Sequence, residues 1–69
     1  MKKHPYCKLG NKLAAARKSR KWTQRETAAS AKITVVYLSR IERGHTRASL
    51  KLLERLAKLF GTTAGALLK

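Results

Sequence analysis

Aspartate is absent from the sequence, and only three glutamates stand against 17 lysines and arginines. Carboxylate chemistry therefore has little to be built from, and the formal net charge of +14 makes the chain repel itself and favours a polyanionic partner. A single cysteine, Cys7, excludes an internal disulfide and fits a reducing cytoplasm. His4 and Cys7 form an H-x2-C spacing, but His45 is the only other histidine and no second cysteine follows, so no metal site is expected. No nucleophile has a base at fixed helical spacing, which argues against an enzyme and against any cofactor. Long apolar runs are missing too: no stretch of about 18 apolar residues exists to span a membrane. Met1-Lys2-Lys3 opens like a signal peptide, yet His4-Pro5-Tyr6-Cys7-Lys8 stands where its apolar stretch should be.

What is present is 43% hydrophobic residues with one proline, too apolar a mixture for a disordered basic chain. At 69 residues the chain is one domain with a marginal core, so helix packing or oligomerisation must supply the rest of its stability. Residues 1–7 carry no periodicity and read as a flexible basic arm that can run along a duplex through Lys2, Lys3 and His4. The domain proper occupies residues 8–69. Leu9, Leu13 and Ala16 fall at i, i+4 and i+7, which predicts a first helix over residues 8–19.

Thr23-Gln24-Arg25-Glu26 is a capping box and begins a second helix rich in small residues, Ala28, Ala29 and Ala31. Thr34 is the next N-cap, and Gly44 stops the helix that follows. After a polar loop, Ser49 caps a fourth helix carrying Leu50, Leu53, Leu56, Ala57 and Phe60, closed by Gly61. Thr62-Thr63 can cap a final short helix. No segment alternates with period two for long enough to form a strand, so the fold class is all-α, a compact bundle of five short helices.

The second and third helices, joined by a very short turn, have the layout of a helix-turn-helix. On a wheel, the third helix sends Leu38, Ile41 and Glu42 to one side and Val35, Val36, Ser39, Arg40 and Arg43 to the other. Exposed valines are an odd choice for a merely solvated helix face, because β-branched residues are poor helix formers. They suit a DNA major groove, where valine touches thymine methyls and arginine bridges guanine O6 and N7. If the helix were rotated, the same valines would be core.

The residues Thr23-Gln24, Ala28, Ile33-Thr34, Leu38-Ser39-Arg40-Ile41-Glu42-Arg43-Gly44 and Ser49-Leu50 with Leu53 and Ala57 resemble the Cro/CI (XRE-type) helix-turn-helix family of DNA-binding transcriptional regulators. The resemblance covers residues 9–68 and implies a lambda-repressor-like domain that binds a palindromic operator as a dimer. It implies base reading by Val35, Val36, Ser39 and Arg40, and phosphate contacts by Gln24, Tyr37, Arg43, His45 and Arg47. Arg17 and Glu42 match a structural ion pair, and the wheel independently puts Arg17 at the edge of the buried stripe with Glu42 facing inward. Three positions depart from the pattern: Lys32 stands where the family commonly has glycine, Thr27 replaces leucine, and Ala48 replaces proline.

Leu52 and Leu59 lie seven residues apart, off the stripe of Leu53, Leu56, Ala57 and Phe60, and with Leu67 and Leu68 they suggest a dimer seam. The expected partners are thus double-stranded DNA, a second copy of the chain and other transcription proteins, without a membrane; the expected location is cytoplasmic, on the nucleoid. Two other readings stay open: a non-specific nucleoid-like or RNA-binding module, and a membrane-active cationic helical peptide.

Overall fold

The computed structural model describes residues 7–68 as five helices: α1 (Cys7–Ser19), α2 (Gln24–Ala31), α3 (Val35–Glu42), α4 (Leu50–Leu59) and α5 (Ala64–Leu68). No strand occurs among the described residues. Cys7 belongs to α1, so the helix begins one residue earlier than the periodicity predicts; the remainder of the expected arm, with Lys2, Lys3 and His4, lies outside the described residues.

The starts of α2 to α5 follow from side chains that satisfy an orphan backbone donor. Thr23 Oγ1 accepts from the Glu26 N–H at 3.0 Å while Glu26 Oε1 accepts from the Thr23 N–H at 2.8 Å, completing the capping box. Thr34 Oγ1 accepts from Tyr37 N–H, Ser49 Oγ from Leu52 N–H and Thr63 Oγ1 from Ala66 N–H.

The first four helices also end alike. In each, two successive N–H groups turn back onto carbonyls of the last turn: Lys21 and Trp22 onto Lys18 and Arg17, Lys32 and Ile33 onto Ala29 and Ala28, Gly44 and His45 onto Ile41 and Arg40, Gly61 and Thr62 onto Lys58 and Ala57. This closure puts one residue in the left-handed region. Gly44 and Gly61 take it readily, whereas at α1 and α2 the residue is lysine, with φ of 58° at Lys21 and 60° at Lys32.

The core is contributed by Leu13, Ala31, Ile41, Ala48, Leu52, Leu53, Leu56, Ala57, Phe60 and Leu67. Two of the leucines expected at a dimer seam are therefore elsewhere: Leu52 is 4% exposed and Leu67 is 7% exposed, both inside the protomer. The physical reason is that α4 packs against α2 on one flank and α5 on the other, so its buried stripe is broad enough to take in Leu52. Leu59 is half-buried against the core, and Leu68 alone of the four is well exposed.

Candidate DNA interface

The third helix is held from behind at its C-terminal end. Arg17 of α1 donates through Nε to Glu42 Oε2 at 2.7 Å and through Nη2 to Oε1 at 3.1 Å, a two-pronged pair with both side chains almost fully buried. A third donor of the same guanidinium, Nη1, reaches the Trp22 carbonyl at 2.8 Å and ties down the α1–α2 turn. Gln24, at the first turn of α2, donates Nε2 to Glu42 Oε1 at 3.0 Å. One carboxylate thus joins three helices, and its charge is matched by a fixed arginine fork.

Gly10 completes the arrangement. A Cβ at this position would stand 2.4 Å from the Ile41 carbonyl oxygen and 2.6 Å from that of Glu42, so only glycine lets α1 approach the end of α3 this closely. The apolar periodicity of α1 does not mark Gly10, although an isolated glycine within a helical pattern is itself a signal of close packing. Nor does any motif mark Arg20, which donates to the Ala16 and Phe60 carbonyls and lies over the rings of Trp22 and Phe60 at 5.8 and 5.3 Å. Arg55 is equally unmarked; its Nη1 donates to the Ala31 carbonyl at 2.7 Å and fastens α4 to the end of α2.

Clamped in this way, α3 buries Leu38, Ile41 and Glu42 and turns its other face outward. Val36 is 69% exposed and Val35 39% exposed, with the exposed Arg40 on the same side. Ser39 is half-buried, and its carbonyl accepts from Arg43 Nε at 3.4 Å, which lays the exposed Arg43 along the helix. Tyr37 is half-buried and packs against the core, while His45 and Arg47 are exposed in the loop after α3. Gln24 is half-buried and its amide NH2 is engaged by Glu42, leaving it positioned beside the start of α2 rather than projecting freely. The outward face therefore combines apolar β-branched tips with flanking guanidinium groups, a surface that can meet base edges and phosphates but offers no nucleophile or acid–base pair.

No group of three or more potential metal-ligating side chains occurs among the described residues, and no described helix is long and apolar enough to cross a membrane.

Two short capped helices, a tight left-handed turn between them and an exposed second helix define a helix-turn-helix unit. The family model described as "Helix-turn-helix" matches residues 13–67, and the chain belongs to this family. It is 40% identical over 62 residues to the HTH-type transcriptional regulator DdrOP3 of Deinococcus deserti, covering 90% of this chain and 48% of that protein. The chain thus spans about half the length of that curated relative. Among solved structures it is similar to the clp gene regulator ClgR of Corynebacterium glutamicum, with a TM-score of 0.85 and 30% identity over 91% of this chain and 67% of the other. It is also similar to SinR, the master regulator for biofilm formation, of Bacillus subtilis, solved in complex with DNA. There the TM-score is 0.81 with 29% identity over 88% of this chain and 98% of the other.

Proposed function

We propose that the chain is a sequence-specific, non-catalytic transcriptional regulator that binds a palindromic operator as a homodimer, with α3 in the major groove. The observation that carries this reading is the outward face of α3, where Val35 and Val36 stand exposed beside Arg40 on a helix whose rear is locked by Glu42. Burying two valine tips against thymine methyls gives their exposure a use that water does not. Arg43, His45 and Arg47 flank the face and serve the phosphates, as a sequence-independent grip that sets register.

Dimerisation on this reading uses the exposed leucines, not Leu52 or Leu67. Leu50 and Leu68 are 62% and 57% exposed and line a groove of about 780 Å³ with Leu9, Tyr37 and Leu53. A second copy related by a two-fold axis would pack on Leu50 and Leu68 and present two α3 helices to half-sites about 34 Å apart. Selection from random oligonucleotides followed by sequencing is the test: a palindrome with two half-sites about one helical turn apart is expected. Absence of any enriched sequence would favour the nucleoid-like or RNA-binding reading, and a strict monomer in sedimentation with and without the selected DNA would refute the dimer.

A further inference from the structure

Much of the positive charge lies outside the reading face. On α4 the buried side chains are Leu52, Leu53, Leu56 and Ala57, and the opposite side of that helix presents Lys51, Glu54, Arg55 and Lys58, all exposed. The C-terminal end of α4 adjoins the α1–α2 turn, because Arg20, just past α1, lies over the Phe60 ring and donates to its carbonyl. Principal packing puts α3 against α1 and α2, and α4 against α2 and α5, so α4 is carried by a different set of neighbours from the reading helix.

Glu54 is the one carboxylate on this face, against three cations. Among the described residues the single ion pair is Arg17–Glu42, so Lys51, Arg55 and Lys58 pair with no carboxylate. A second copy of the chain has little to offer them. Of its three glutamates, Glu42 is buried, Glu26 is held by the Thr23 N–H, and Glu54 sits on this same basic face. An acidic protein is a poorer fit than a nucleic acid, since protein interfaces centre on buried apolar anchors and no apolar side chain lies between Lys51 and Lys58 on the outward side. The ladder of charge suits a phosphate backbone. Lys51 and Lys58 are separated by about 10 Å along a helix rising 1.5 Å per residue, and a DNA strand carries one phosphate per roughly 3.4 Å of axis.

We infer that the outward face of α4, through Lys51 and Lys58, is a second, sequence-independent binding surface for double-stranded DNA, so that a protein seated on its operator through α3 holds a second duplex segment as well. The bridging role rests on the α3 reading above; the α4 surface itself does not. Contacts of this kind release counterions, so each phosphate contact adds about 0.9 to the slope of log affinity against log salt.

The test uses the whole chain and its Lys51→Gln/Lys58→Gln variant, both positions exposed and outside α3. A selected operator duplex is immobilised and saturated with protein, and a fluorescent duplex lacking any half-site is offered between 50 and 200 mM salt. Wild type is expected to capture the second duplex, and the variant to bind the operator normally but capture weakly. Removing two phosphate contacts lowers the salt slope by about 1.8, so across that salt range wild-type capture should fall roughly tenfold more than variant capture. Equal capture by the variant, or no capture by wild type, overturns the inference, as does wild type that binds polyglutamate through Lys51 and Lys58 yet captures no duplex. Failure to select an operator at the first step would instead sink the α3 reading, and direct titration of the unselected duplex with both proteins would still decide the α4 surface by the same difference in slope.

Discussion

Replacing Gly10 with alanine isolates the contact between α1 and the end of α3. In an open helix the change would gain up to about 1 kcal/mol from helix propensity. Here the new methyl meets three backbone atoms, Ile41 O at 2.4 Å, Glu42 O at 2.6 Å and the Glu42 carbonyl carbon at 2.9 Å, and none of these can rotate aside. To restore ordinary contact the helices must separate by roughly 1 Å, which opens the Leu13 and Ile41 packing and stretches the Arg17–Glu42 pair from 2.7 Å. Overpacking of a rigid core costs about 1–3 kcal/mol, and with backbone as the obstacle the upper end applies, leaving a net loss near 2 kcal/mol. For a domain of this size that lowers Tm by about 8–16 °C. Circular dichroism melts of Gly10→Ala beside Gly65→Ala give an internal control, since a Cβ at Gly65 meets nothing nearer than Thr63 Oγ1 at 3.9 Å. A Gly10→Ala protein that melts at or above the parent temperature would refute the close-approach argument.

Other perturbations separate the roles assigned above. Arg17→Met leaves Glu42 buried with only Gln24 as a partner and should cost about 3–5 kcal/mol in urea denaturation, whereas Arg17→Met/Glu42→Leu should cost clearly less. Thr27 Oγ1 is buried without a hydrogen-bond partner, so Thr27→Val should raise stability by about 1 kcal/mol or more, read as a higher urea midpoint with an unchanged slope. Arg40→Ala should relax preference at one operator position in a competition assay at fixed salt. Arg47→Ala should weaken every sequence alike and reduce the salt slope by about 1.

Local chemistry was the most legible part of the sequence. Thr23, Thr34 and Ser49 mark the starts of α2, α3 and α4 because an N-cap hydroxyl acts within three residues of itself. The sorting of α3 into Leu38, Ile41 and Glu42 against Val35, Val36 and Arg40 was equally readable, since one helix wheel contains it. Leu52 and Leu67 were not readable in this way. Which flank of α4 is covered depends on where α2 and α5 dock, a long-range fact that the wheel of α4 does not hold. Gly10 and the left-handed Lys21 were hidden for related reasons: the first is explained by carbonyls some thirty positions away, and the second occupies a site for which glycine is the usual marker.

The two left-handed lysines have a wider consequence. A side chain at such a φ is strained by about 1 kcal/mol relative to glycine, so Lys21 and Lys32 each hold a positive charge at the expense of backbone comfort. Substituting glycine at both would firm the fold and lower its net charge by two. Thermal robustness and attraction to polyanions are therefore set in opposite senses by the same two residues, and a search for the most stable version of this domain would steadily discharge it.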